Sequence, residues 1–399
     1  MKIGVWILAD YKPQMGGGFS LYEKLIRQID EFHFSDEIEV CFVGHNPSSN
    51  YNFSKKYYCI NPLKALPSFI TSYTSHYAHK SKWLSKREHS LLCENKIELI
   101  YYPVQGFCKV ANFPFIATNW DIGHKSLYAF PEVNMNGTFE YREKWYGKDI
   151  YKALLVFAES EAGKEELLYY TRLNPDRVVV VPLFAGGVVE VKVDELTQFE
   201  KLKNFNLKPN NYFFYPAQFW AHKNHYNLLK AFKNFSANQN IDLVLSGSDK
   251  GNKKYIEQLA QQLCIAEKVK FLGFIDNESM VSLYKNARAM IMPSFLGPTN
   301  MPLLEALAFD CPVLCSDLKG HREQLKDGAV YFNPSDTDEM TGAMKAVAAE
   351  TFRAELLMKA QKVKSENCFT VSKAIAAINQ HFIRIKSIRK TWGSDDKIF

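Results

Sequence analysis

Pro293 to Leu314 reads PSFLGPTNMPLLEALAFDCPVL. The apolar run RAMIMPS (288–294) that leads into it has strand character and breaks at a Gly-Pro turn. Pro302 then stands where the first turn of a helix tolerates proline, since that N–H has no helical partner in any case. A helical pattern carries the chain on to CPVL, a second short apolar run. Strand, turn, helix and strand make the repeating unit of a parallel α/β sheet. The side chain of Thr299 or Asn300 is expected to cap the helix. Its first N–H groups then point off the edge of the sheet, where a helix N-terminus attracts an anion. Glu305 follows one turn in. A carboxylate there either complements the helix dipole or grips a ligand hydroxyl while the amides hold a phosphate.

The same pattern extends outward through the chain. In the first half, strands are expected at 2–9, 37–44, 97–103, 113–119, 153–160 and 177–183, with helical patterns between them. The rhythm breaks over the mixed, charged residues 184–208, and a fresh buried strand begins at 211–217. Further strands are expected at 242–246, 268–272, 288–292, 312–315 and 329–332, and residues 336–388 read as almost all helix. This predicts an α/β protein of two Rossmann-like domains facing across a cleft. Residues 1–185 form the first and 208–371 the second, and the last helical segment, about 372–399, returns to the first. Ligands of such sheets bind at the C-terminal edges of the strands.

Composition agrees with a folded protein of this size. The chain has 399 residues, 47% of them hydrophobic, 23% charged and 14% aromatic, which excludes disorder and suits two cores. A net charge of +6 falls far short of a nucleic-acid-binding tail and suits phosphate-bearing ligands or an anionic surface, so no nucleic-acid partner is expected. The eight cysteines are scattered without a CxxC pair, as in a reduced, cytoplasmic protein. The opening MKIGVWILADYKPQ reads as a first strand rather than a signal peptide. No apolar run approaches the about 18 residues that would span a membrane.

Several strand ends carry chemistry. Lys223, in the polar run HKNH after strand 211–217, is either a solvated lysine or a cation placed to neutralise phosphate charge. His222 and His225 lack the carboxylate or thiol companions of a metal site, and no metal is expected. Asn119, Trp120, Asp121 and His124 cluster after strand 113–119, where Asp121 and His124 could form an acid/base pair or Asp121 could cap a helix. Gly17 and Gly18, in MGGGFS, let backbone approach a ligand ahead of a helix. The run is not GxGxxG and no acid ends the second strand, which argues against a dinucleotide site. Ser246 and Gly247 end another strand. Residues 75–92 mix Lys80, Lys82, Lys86 and Arg87 with Tyr77 and Trp83, either a solvated face or one suited to an anionic membrane.

The run PSxxxxxxxPLLEALAFDCPVL resembles the C-terminal signature of the retaining family-4 glycosyltransferases, which have the two-domain GT-B fold. In that signature two glutamates are separated by seven residues. Glu305 matches the second, which the resemblance assigns to the nucleotide ribose. Gly297 stands at the first, so this chain resembles a sub-branch in which the turn GPTN replaces that acid. The resemblance then puts Pro298, Thr299, Asn300 and Met301 against the donor sugar or its phosphates. FFYPAQFWAHKNHYNLLKAF (213–232) is similar to the family's diphosphate clamp, with Lys223 at its lysine and Gln218 in place of its arginine. By the same resemblance Ser246 and Gly247 approach the nucleotide, Phe274 and Ile275 the base, and Gly17 and Gly18 the diphosphate. Asp121 or His124 meets the sugar or acceptor. Phe274 could equally be core.

The resemblance implies a metal-independent, cofactor-free, hexosyltransferase-type enzyme. It moves a sugar from a nucleotide-diphosphate donor to a lipid-linked saccharide acceptor in surface polysaccharide assembly, in the cytoplasm or peripherally at the inner face of the membrane. Two alternatives remain open at this stage: a non-catalytic nucleotide-binding member of the same fold, and a GT-B sugar-nucleotide epimerase.

Overall fold

The computed structural model describes residues 1–8, 17–45, 52–60, 82–106, 113–237 and 239–392, with the side chains of residues 82–85 excepted. Two parallel sheets organise the chain. The first contains β1 (Lys2–Trp6), β2 (Glu39–Gly44), β3 (Tyr57–Cys59), β4 (Leu99–Tyr101), β5 (Phe115–Asn119), β6 (Leu155–Ala158) and β7 (Val178–Val180), in the order β3-β2-β1-β4-β5-β6-β7. The second contains β8 (Tyr212–Pro216), β9 (Asp242–Ser246), β10 (Val269–Gly273), β11 (Ala289–Met292), β12 (Val313–Ser316) and β13 (Val330–Phe332), in the order β10-β9-β8-β11-β12-β13. The strand order reverses between β1 and β4 and between β8 and β11, the places where ligands of such sheets bind.

The central strands are apolar throughout because helices cover both faces. Tyr212, Phe213, Phe214 and Tyr215 of β8 are all fully buried, and Met290 pairs with Phe214 on one side while Val244 pairs with it on the other. The expected strands form, most of them trimmed at their ends, and Ala9 lies outside the described residues. β3 was not foreseen: three residues, YYC, show no alternation to read. Residues 184–208 hold a short 3-10 turn, Gly187–Glu190, and a helix, Glu195–Asn204, which packs on the second domain's helix Asn277–Asn286. The final helix, Val371–Arg389, lays Ala374, Ile375, Ile378, Phe382 and Ile385 into the first domain's core, a stripe at helical spacing.

The two domains meet at their C-terminal strand edges. Glu132 of the first domain accepts from the backbone N–H of His222 at 2.8 Å and also pairs with its ring. Phe130 packs against Phe295 with ring centroids 5.5 Å apart. Glu323 reaches back the other way, its two carboxylate oxygens accepting from the N–H groups of Glu161 and Ala162, each at 2.9 Å, at the start of the helix Glu161–Tyr170. A carboxylate from the second domain thereby satisfies two N–H groups that a helix start cannot pair internally.

Candidate active site

β11 delivers the chain to the turn Gly297–Asn300, and the helix Met301–Ala308 follows. Neither Thr299 nor Asn300 caps that helix as the sequence suggested, because each side chain has a stronger claim elsewhere. Thr299 donates from Oγ1 to Glu159 Oε2 of the first domain at 2.6 Å. Asn300 turns its Nδ2 to His321 Nε2 at 2.8 Å and its Oδ1 to the Lys223 ammonium at 3.2 Å. Gln324 takes over the backbone, accepting from Asn300 N at 2.9 Å and donating to Asn300 O at 3.1 Å. Gly297 has φ +156°, a conformation L side chains rarely adopt, and a Cβ there would stand 1.8 Å from Asn300 Nδ2. The Asn300 amide therefore occupies the room a side chain at 297 would need.

Lys223 ends a 3-10 turn after β8, and its carbonyl accepts from Tyr215 OH at 2.8 Å. Asn224 follows in the left-handed region, φ +60°, which asparagine tolerates better than most residues. Its Nδ2 donates to the carbonyls of Pro293 at 3.0 Å and Pro334 at 2.7 Å, tying the lysine's loop to the end of β11. Burial lowers the Lys223 ammonium to about 8, with Glu132 and Asp121 pulling it partly back up. A cation so placed is short of solvent and available to an anion.

Glu305 is buried and lies beyond the helix's first turn, which contains no acid, so complementing the dipole is not its role. Its Oε2 accepts from Tyr284 OH at 2.9 Å, and it also takes a hydrogen bond from the Gly186 N–H of the interdomain segment. Burial raises its carboxyl to about 7 against the pull of Tyr284, Gly186 and Lys24. Lys24 itself donates to the carbonyl of Ala185 at 3.0 Å and pairs with Glu190 at 3.1 Å, which fixes the segment Glu305 touches. Gly17 opens the first helix, Gly17–Glu31, with Gly18 next in it. A Cβ at Gly17 would stand 3.2 Å from Met301 Cε across the cleft, so these two expected residues meet. Residues 13–16 of that glycine run lie outside the described residues.

The remaining expected residues fall along the same edge. Pro298 is touched by the first domain through Ser160 Oγ, which donates to its carbonyl at 3.0 Å. Ser246 is buried at the end of β9, and Gly247 donates its N–H to Gly273 O at 2.8 Å beside the backbone of Ala217 and Gln218. Gln218 Oε1 accepts from Trp220 Nε1 at 3.1 Å. Phe274 is 66% exposed, which overturns its reading as core, while Ile275 packs on the second core.

The first-domain cluster behaves differently. Asp121 and His124 do not hydrogen-bond to each other as an acid/base pair, because Arg142 stands between them. Its guanidinium holds Asp121 Oδ1 and donates from Nε to His124 Nδ1 at 3.1 Å. Gly123 N–H adds a bond to Asp121 at 2.7 Å. Burial pushes the Asp121 carboxyl up, but Arg142 and Gly123 outweigh it and hold it below the usual range. His124 is fully buried, its Nε2 lies 2.8 Å from Glu143 Oε1, and burial together with Arg142 lowers its pKa. Accepting from Arg142 at Nδ1 leaves Nε2 to carry the proton given to Glu143.

Sequence reasoning passed over Glu159, Glu132, Arg142, Asn224, His321 and Gln324. The only local signals were an acid ending the strand ALLVFAES and an asparagine directly after Lys223. Among the described residues no group of three His, Cys, Asp or Glu side chains is placed to hold a metal ion. No described helix is long and apolar enough to cross a membrane. Residues 75–81 of the basic-aromatic segment lie outside the described residues.

Residues 197–363 match the family model for glycosyl transferases, group 1, which covers the second domain. The O-antigen chain mannosyltransferase B of Escherichia coli is 24% identical over 252 residues, 61% of this chain and 66% of that protein. The O-antigen chain mannosyltransferase RfbU of Salmonella typhimurium is 31% identical over 137 residues, 34% of this chain and 38% of that protein. The matched stretch thus spans less than two thirds of either relative. Among solved structures, WaaG, a glycosyltransferase involved in lipopolysaccharide biosynthesis, superposes with TM-score 0.67 at 13% identity, covering 94% of this chain and 98% of its own. HepE of Anabaena, solved with UDP and glucose, gives TM-score 0.67 at 16% identity over 97% and 99% of the two chains. The fold is that of the GT-B glycosyltransferases.

Proposed function

We propose that the chain is a retaining, metal-independent glycosyltransferase of the family-4 type. It moves a hexose from a nucleotide-diphosphate donor to a hydroxyl of a saccharide acceptor, lipid-linked, in surface polysaccharide assembly. The observation that carries this reading is the meeting of the Lys223 ammonium with Asn300 at 3.2 Å, at the start of the helix Met301–Ala308. The ammonium thus sits at the residue before the helix, and an ammonium beside the opening N–H groups of a helix suits the two negative charges of a departing diphosphate. Fixed cations and amides there supply the charge stabilisation that a metal ion supplies in other transferases, so turnover is expected to survive EDTA.

In this reading Glu305, which is buried, takes the ribose hydroxyls, and the exposed Phe274 with the backbone at Ile275 takes the base. The acceptor hydroxyl attacks on the face the diphosphate leaves, and a donor phosphate oxygen takes its proton. The first domain's edge closes over the site and excludes water. The names of the relatives favour an acceptor that is a growing surface saccharide, and the second solved structure favours a nucleoside diphosphate as the donor's core. Work at the inner face of the membrane follows from a lipid-linked acceptor.

One observation favours a second reading, a non-catalytic nucleotide binder: the turn has neither an acid at 297 nor room for one. A thermal-shift panel with UDP, GDP, dTDP, ADP and CMP, followed by sugar release from the matching nucleotide sugars, separates the two. Stabilisation by one diphosphate together with turnover is the expected result. Stabilisation without turnover, across donors and lipid-linked acceptors, supports the binder, and no stabilisation at all contradicts both.

A further inference from the structure

Glu159 is a half-buried carboxyl that the proposed chemistry leaves unused. It directly follows β6 of the first domain, yet its hydrogen bond is to the second domain, 2.6 Å from Thr299 Oγ1. Its neighbour Ser160 donates to the carbonyl of Pro298 at 3.0 Å, so two consecutive residues of one domain hold two consecutive residues of the other's turn. Behind the carboxyl lies a pocket walled by Leu25, Phe157, Leu183 and Phe184, with Tyr22 and Tyr101. The apolar wall explains why burial raises the Glu159 carboxyl to about 8, with Asp121 adding to the rise and Thr299 opposing it. At neutral pH Glu159 then carries a proton, and it meets Thr299 as a neutral hydrogen-bonding group.

The turn divides its side chains between the domains. Thr299 reaches to the first domain, and Asn300 to Lys223 and His321 of its own. Gly297 contributes no side chain, and Gly320 comes so close to the Pro298 carbonyl that a Cβ there would stand 1.8 Å from it. A turn held on one side by Asn300 and on the other by Glu159 is seated by both domains at once. We propose that Glu159 is the positioning residue of this turn: its carboxyl crosses the cleft to Thr299 and, with Ser160, seats Gly297–Asn300 so that Asn300 meets Lys223 and the helix start faces the cleft. Closure of the cleft and readiness of the anion site are then one event. The inference rests on the transferase reading for its purpose, but its contacts are measurable without turnover.

The test is hydrogen exchange of the amides of Thr299, Asn300, Met301, Leu303 and Leu304 in the full chain without ligand, at pH 6.5 and at pH 9 after correction for intrinsic rates. Wild type, Glu159→Gln and Glu159→Ala are compared. Glutamine imitates the protonated carboxyl, so Glu159→Gln is expected to match wild type at pH 6.5, while Glu159→Ala exchanges at least tenfold faster there. At pH 9 wild type loosens as Glu159 ionises against an apolar wall, with Asp121 and its Arg142, Tyr22 and Tyr101 facing it from the first domain. Glu159→Gln does not loosen in this way. Lys223 loses charge in the same range, and His321 lies behind Asn300, but both are present in every variant, so the difference between wild type and glutamine reports Glu159. Thr299→Val removes the same bond from the opposite side and is expected to reproduce the alanine result, which keeps the test open if Glu159→Ala does not fold. Unchanged exchange in Glu159→Ala and Thr299→Val overturns the proposal, and so does a Glu159→Gln variant as loose as alanine at pH 6.5. Should exchange respond as expected in a protein that turns over no nucleotide sugar, the positioning role stands and the transferase reading falls.

Discussion

Lys223 and His124 stand beyond strand ends that face the same cleft, and both looked like chemistry in the sequence. Their surroundings differ. His124 spends both ring nitrogens on Arg142 and Glu143 and is fully enclosed. Among the described residues Lys223 makes one side-chain hydrogen bond, to Asn300, with its ammonium depressed to about 8 by burial. An ammonium has three protons to donate, so the lysine retains capacity for an anion. The imidazole, with one donor and one acceptor both engaged, retains none. A polar cluster at a strand end is thus a candidate site only where bonding capacity remains after the fold has taken its share.

The sharpest way to break this contrast is to remove each residue in turn. Lys223→Ala is expected to reduce turnover about tenfold or more while the protein stays folded, since a transition-state charge loses its counter-charge. His124→Gln is expected to act on stability instead, costing about 1–3 kcal/mol for the disturbed buried hydrogen bonds, read as a lowered melting temperature with turnover of the folded fraction retained. The reverse pattern would exchange the roles assigned to the two edges.

Glu305→Ala should come next in size, weakening nucleotide affinity by roughly tenfold, the scale of one hydrogen bond to a charged group. Titration calorimetry reads it, and unchanged affinity would remove Glu305 from the ribose.

The two raised carboxyls give a smaller signature in pH. Glu159 near 8 and Glu305 near 7 bind protons in the folded chain that the unfolded chain, with ordinary carboxyls, has released. These two groups therefore contribute stability below the ordinary carboxylate range that is lost as pH rises towards 8. Buried His225 and His321, lowered to about 3 and about 4, act in the opposite sense over part of the same range, so the sign is read from the difference between wild type and Glu159→Gln in melting curves at pH 5.5 and 8.5: wild type should lose more stability between the two than the glutamine variant. The smallest effect expected is that of Glu323→Ala, which uncaps the helix Glu161–Tyr170 across the interface for about 1 kcal/mol. A melting temperature unmoved by it would mean that water replaces the carboxylate at no cost.

The sequence carried the architecture well where periodicity and burial agree. Apolar strands such as Phe213–Tyr215 and Leu243–Leu245 cannot be read otherwise between helical patterns. The turn at 297–300 and Lys223 were legible as candidates, and the structure brings the two together. What stayed hidden was the partner of each polar atom. Thr299 and Asn300 looked like caps because capping is the local option, and they were drawn away by Glu159, 140 positions earlier, and Lys223, 77 earlier. Arg142 gave no sign of its place between Asp121 and His124, since it arrives on a short helix, Thr138–Lys144, that shares no pattern with them. Contacts across a cleft depend on how two domains dock, and no window of sequence contains that.

The most direct measurement is a crystal structure of the chain with the nucleoside diphosphate selected by the thermal-shift panel. The account predicts the diphosphate within about 3 Å of Lys223 Nζ and the N–H groups opening the helix Met301–Ala308, with the ribose at Glu305. A diphosphate bound instead at the first domain's glycine turn, away from Lys223 and Asn300, would contradict it.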